Sequence, residues 1–142
     1  MRGFRSCVFC SNSLREKHQI VYEDAKIIAI LDRIPRAKKH VLVIPHEHIS
    51  YVSDLTPAHC ELLKHMMETG KRILASDGFE DEGNCRFGFH LPPFASIPHL
   101  HMHCLGLPFL PSWNRLRYME SMLPTYISAE STLAALRSRT IY

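Results

Sequence analysis

At 142 residues the chain is long enough for one hydrophobic core and short for two, so a single domain over 1–142 is expected. Its core is expected at about 5–108 and a C-terminal extension at about 109–142. Hydrophobic residues at 46% and charged residues at 22% exclude extensive disorder, and a net charge of +3 suits a phosphate-bearing partner without requiring a large nucleic-acid footprint.

Met1–Cys10 lacks the apolar run of a signal peptide and no segment approaches membrane-spanning length. A cytoplasmic protein, with the nucleus as an alternative and no membrane partner, is therefore expected. In that reducing setting Cys7, Cys10, Cys60, Cys85 and Cys104 read as thiols or metal ligands rather than disulfides.

Ile20–Tyr22 and Lys26–Leu31 read as two strands of a hairpin, turned at Glu23-Asp24. Asp32–Lys39 follows as a polar loop around Pro35, and Val41–Ile44 as a β-branched strand that Pro45 stops. Thr56-Pro57 pairs a capping hydroxyl with a first-turn proline and starts the main helix. Leu62, Leu63, Met66, Met67, Ile73 and Leu74 give that helix an apolar stripe, and Gly78 ends it. A turn at Asp81–Asn84 leads to a strand at Cys85–His90, a proline-interrupted loop at Leu91–Pro98 and a strand at His99–Leu105. Beyond Pro111 the pattern weakens into a short helix at Ser112–Met122, passes Tyr126-Ile127 and ends in a helix from about Ala129 to Arg137. The sum is an α+β domain: about five antiparallel strands, one main helix and a helical C-terminal extension.

Along an extended strand, His99, His101 and His103 share one face about 6–7 Å apart, while Leu100, Met102 and Cys104 take the other. A chain with ten histidines can produce such a row by chance, so the flanks matter. Ser96-Ile97-Pro98 precedes the row, Gly106-Leu107-Pro108 follows it, and His40 stands before Val41-Leu42-Val43-Ile44-Pro45. From Cys7 to Arg137 this resembles the histidine triad (HIT) family. Phe87-Gly88-Phe89-His90, Leu91-Pro92-Pro93-Phe94 and the tail from Pro108 to Trp113 are similar to its HINT and aprataxin-like branch. The loop before the triad is proline-rich here and the tail is longer, so the resemblance does not carry over the compact members' leaving-group preference.

The resemblance implies a HIT-like fold and a nucleotidyl hydrolase. Its substrate would be an adenosine 5′-monophosphate ester of the phosphoramidate or 5′-phosphosulfate type. The alternative is a nucleotide sensor or scaffold without turnover. His101 would be the nucleophile, its ring held by the carbonyl of His99, and would form a nucleotidyl-histidine that water hydrolyses. Ser96 and His103 would donate to phosphate oxygens, His40 would be the fourth histidine of the site, and His90 would add a donor. Asp32 would accept from the ribose hydroxyls, with Phe9 and Ile30 walling the base. Read without the resemblance, each of these histidines and the serine is a polar group satisfying core backbone, and Asp32 a turn-starting aspartate beside Pro35.

Cys7-Val8-Phe9-Cys10 reads three ways: a redox pair, two zinc thiolates, or two reduced cysteines packed as small apolar groups. The resemblance implies that His48 and His99 complete a structural zinc site. No organic cofactor is expected, the partners would be an adenosine nucleotide and a second copy in a homodimer, and no element substitutes for the DNA-binding domains of aprataxin. His18, His46, His59 and His65 receive no role, and Trp113 reads as a pocket wall or an anchor for the tail.

Overall fold

The computed structural model describes residues 7–10, 13–95 and 97–140. Their order is α1 (Ser13–Lys17), β1 (Ile20–Glu23), β2 (Ile27–Leu31), β3 (Ala37–Pro45), α2 (Cys60–Ser76), β4 (Cys85–His90), β5 (Met102–Phe109), β6 (Tyr126–Ser128) and α3 (Ala129–Thr140). The strands form one antiparallel sheet in the order β1-β2-β3-β5-β4-β6. The α+β class expected from sequence holds, with six strands rather than about five.

The two faces follow from the period of two along each strand. Val41, Val43, Met102 and Cys104 point to one face, where α2 lays down Leu63, Met66, Met67 and Leu74, and α3 adds Ala129, Leu133 and Leu136. Gly70 lets α2 come close, because a Cβ there would stand 2.8 Å from Cys104 Sγ. Ile28, Ile30, Leu42 and Ile44 point the other way and are covered by Cys7, Phe9 and Leu14. The N-terminal segment thus lies on the sheet face that α2 and α3 leave uncovered.

Three boundaries differ from the sequence reading. β3 begins at Ala37, inside the expected loop, because Ala37 and Lys39 pair with Phe109 and Gly106 while Lys39 reaches Asp77 at 2.8 Å. A long lysine stem satisfies a strand ladder and still keeps its charge at the rim. Regular pairing in β5 starts at Met102 and runs to Phe109, so His99 and His101 stand just ahead of it; Leu100 N–H instead donates to Ile49 O at 2.6 Å. The expected helix at Ser112–Met122 is a short 3-10 segment, Ser112–Arg117.

β6 was missed because three residues carry no periodicity. It exists through tertiary pairing with β4, where Gly88, Phe89 and His90 face Ser128, Ile127 and Tyr126. Gly88 is what admits the Tyr126 ring, since a Cβ at 88 would lie 2.1 Å from the Tyr126 hydroxyl. The main helix enters through the 3-10 turn Pro57–His59, and the chain leaves it at Gly78, whose φ of 92° favours glycine.

Candidate active site

A cavity of about 880 Å³ opens on the N-terminal side of the sheet, large enough for a nucleotide. His101 and His103 line it. Val8, Phe9, Leu42 and Ile97 give it an apolar end, with Asp32 at the rim, and His90, Tyr118, Arg36 and Arg117 give it a polar end. The ring of Phe9 meets His101 edge-on at 5.3 Å, His101 lies 5.2 Å from His103, and His103 lies 4.7 Å from His90.

The hydrogen bonds fix the imidazole protons by a chain of donors. Arg36 N–H donates to His40 Nδ1 at 3.1 Å, so His40 carries its proton on Nε2. His40 Nε2 then donates to His103 Nδ1 at 2.9 Å, in preference to Asp32 Oδ2 at 3.4 Å. The proton of His103 is therefore on Nε2, a buried atom with no hydrogen-bond partner among the described residues. His101 Nδ1 donates to the carbonyl of His99 at 2.8 Å, which leaves the Nε2 lone pair of His101 free. A bare lone pair and an unpartnered N–H consequently stand on adjacent rings.

Burial holds these rings neutral. It lowers the proton affinity of His101, His90 and, further, His103, and brings His40 down to about 4. A histidine whose folded value lies below 6.5 binds fewer protons folded than unfolded between the two values, so stability falls as pH falls. The unfolding free energy is expected to be level above pH 6.5 and to decline as pH drops toward about 4. Urea titrations at about pH 7.5, 6 and 5 measure this, and a midpoint that rises toward acid contradicts a neutral buried set.

Several expected site residues sit differently from their assigned parts. Ile30 is fully buried beneath Phe9 and belongs to the covered cluster; Leu42, its cross-strand partner, supplies the cavity wall. His90 donates through Nε2 to the carbonyl of Arg117 at 2.8 Å, so its donor holds the tail rather than facing the cavity. His99 turns its ring away from the cavity and offers only its carbonyl to His101. Asp32 Oδ1 accepts from Ile34 N–H at 2.9 Å, which makes it a turn residue as well as a rim carboxylate. Ser96 lies outside the described residues.

Sequence reasoning missed Arg36, Tyr118, Leu42 and His18, which all line the cavity. Leu42 shares strand parity with His40 and could have been found; His18 meets Phe9 edge-on at 6.4 Å across the chain and left no local signal. Trp113 is not among the cavity walls: it is exposed and lies under the Arg117 guanidinium, 5.2 Å from its ring centre.

A second cluster lies beside the first. Cys7 Sγ is 3.3 Å from His99 Nδ1, Cys10 Sγ is 3.2 Å from the same nitrogen, and Cys10 Sγ is 3.0 Å from His48 Nδ1. The four ligand atoms lie within 4.8 Å of one another. Tetrahedral zinc with sulfur and nitrogen ligands has ligand–ligand edges of about 3.3–3.8 Å, so the three close pairs need to open by at most about half an ångström to admit the ion. His99 Nε2 donates to Pro45 O at 2.8 Å, which presents Nδ1 to the cluster, the outer-shell arrangement of metal-binding imidazoles. The donor set fits zinc.

A family model described as Scavenger mRNA decapping enzyme C-term binding matches residues 6–118. Over 137 residues, 94% of this chain and 92% of the relative, it is 38% identical to Bifunctional adenosine 5′-phosphosulfate phosphorylase/adenylylsulfatase HINT4 of Arabidopsis thaliana. It is also 38% identical over 103 residues to Adenosine 5′-monophosphoramidase HINT3 of Xenopus tropicalis, covering 71% of this chain and 67% of that one. Among solved structures, a HIT family hydrolase from Legionella pneumophila Philadelphia 1 superposes with a TM-score of 0.67 at 30% identity, over 72% of this chain and 94% of that one.

Proposed function

This chain belongs to the histidine triad family, in its HINT and aprataxin-like branch, and we propose that it is a hydrolase of adenosine 5′-monophosphate esters that works through a nucleotidyl-histidine on His101. The observation that carries the reading is the pairing at the cavity floor: the free Nε2 lone pair of His101 beside the unpartnered Nε2–H of His103.

His101 Nε2 attacks the α-phosphorus, and the bond to the leaving group breaks as the nitrogen–phosphorus bond forms. The His99 carbonyl, already accepting from Nδ1, stabilises the positive charge that develops on the ring. His103 donates to a phosphoryl oxygen, backed by His40, which is itself oriented by the Arg36 amide. Water then attacks phosphorus from the vacated side and releases AMP, returning the lone pair to His101. Phe9 and Leu42 wall the base, and Asp32 accepts from the ribose.

Zinc, held by Cys7, Cys10, His48 and His99, would be structural, because four protein ligands leave no open position. The cytoplasmic location and the homodimer belong to the same proposal. Exposed Leu116, Met119, Met122 and Leu123 offer apolar surface for self-association, which light scattering tests.

The test is to mix the protein with a panel of adenylyl substrates, quench, and weigh the intact chain. An adduct of one AMP that disappears with His101→Ala supports the reading. AMP binding with neither adduct nor turnover returns the protein to the sensor alternative. At the nucleoside end, Asp32→Ala is expected to weaken AMP by about 1–3 kcal/mol through loss of a charge-assisted hydrogen bond. Calorimetry that finds unchanged affinity leaves Asp32 a turn residue only.

A further inference from the structure

We propose that His18 selects the base of the bound nucleotide: its Nε2 accepts a hydrogen bond from the exocyclic 6-amino group of adenine, so that 6-aminopurine nucleotides are held in preference to purines lacking this donor. The proposal rests on the nucleotide-binding part of the hydrolase reading and adds to it a residue that determines specificity at the base.

The placement of His18 follows from the chain around it. It is the first residue after α1, whose Leu14 is buried in the cluster with Phe9, Ile30 and Leu42. The Leu14 carbonyl accepts twice from His18, from the backbone N–H at 3.1 Å and from ring Nδ1 at 3.2 Å. A carbonyl only accepts, so Nδ1 carries the proton and the neutral ring keeps its lone pair on Nε2. That atom has no hydrogen-bond partner among the described residues. A ring held at one nitrogen and unengaged at the other is a preset acceptor.

This acceptor stands at the wall where the base must lie. His18 lines the same cavity as His101, and Phe9 meets both rings edge-on, His18 at 6.4 Å and His101 at 5.3 Å. With the α-phosphorus on His101 Nε2, the nucleoside extends along Phe9, and the 6-position of a purine is on the ring edge away from the sugar. Val8, Phe9, Leu42 and Ile97 are apolar walls that accept any flat base without distinguishing its edge. His18 supplies the polar atom that these walls lack. Adenine presents an N–H at the 6-position, whereas hypoxanthine presents a carbonyl oxygen, which meets a lone pair unfavourably. Because His18 is only half-buried, water competes for Nε2, and the discrimination should be about tenfold.

The experiment measures by calorimetry, at about pH 8, above the range in which histidine protonates, the affinities of AMP, IMP and purine riboside 5′-monophosphate. The native chain, His18→Leu, His18→Gln and Asp32→Ala are compared. In the native chain AMP is expected to bind about tenfold more tightly than purine riboside monophosphate, which lacks only the amine, and more tightly than IMP. In His18→Leu the three affinities should come within about twofold of one another. In His18→Gln AMP and IMP should converge, because an amide turns either its oxygen or its NH₂ toward the base; this ratio decides the matter if His18→Leu fails to fold. Asp32→Ala retains His18 and should retain the native ratios. Equal affinities in the native chain, a preference for AMP that survives in both His18 variants, or a preference lost as fully in Asp32→Ala overturns the proposal, as does failure to bind all three. These are equilibria that need no turnover: the expected ratios without an adduct on His101 refute the hydrolase reading alone, and indifferent ratios beside a normal adduct refute the role of His18 alone.

Discussion

His101→Ala is expected to lower turnover of any adenylyl substrate by on the order of 10⁴-fold or more while AMP affinity changes little. The asymmetry follows from what the ring touches. Its Nδ1 is engaged by the His99 carbonyl, and its Nε2 meets phosphorus only as the bond forms, so deletion removes an interaction made in the transition state. Phe9, Leu42 and Asp32 remain to hold the nucleoside. His103→Ala should cost less, because a donor to a phosphoryl oxygen is lost while the covalent route persists. Single-turnover kinetics with AMP titrations separate the two, and near-native turnover in His101→Ala excludes the ring as nucleophile.

The second large effect is expected on stability. Cys7→Ser with Cys10→Ser removes both thiolates from the four-ligand cluster. Loss of a structural metal removes several kcal/mol, and at roughly 3 °C per kcal/mol for a chain of this size the melting temperature should drop by about 10 °C or more. Activity should fall by less, and through one residue: His99 is a cluster ligand by its ring and the orienting acceptor for His101 by its carbonyl. Elemental analysis of protein purified without added zinc or chelator should find about one zinc per chain. No zinc, with an unchanged melting temperature in the double variant, makes both residues ordinary packed cysteines.

What was legible in the sequence was whatever repeats on a short period. His101 and His103 declare themselves by alternation, Cys7 and Cys10 by spacing, and Cys85–His90 by a β-rich run between turn residues. What depends on chain crossings was not legible. Arg36 stands in a segment read only as a polar loop, and its importance comes from an amide on His40 and a guanidinium near Tyr118, 82 positions along. Ile30 and Leu42 are paired across β2 and β3 and share a face, so parity cannot say which one Phe9 covers. β6 is three residues of ordinary propensity, which only a glycine on the neighbouring strand makes into sheet.

That last strand also limits how copies of this protein can meet. An uncovered ladder of backbone N–H and C=O groups invites strand addition, and proteins keep such rims short or irregular. Here one rim is β6, with three residues, and the other is β1, with four residues, an irregular register between Ile20 and Tyr22 and a glutamate at its end. Neither offers a length of regular backbone on which a second sheet can continue the first. Such blunted rims disfavour both extension of the sheet by a second copy and fibril-like stacking.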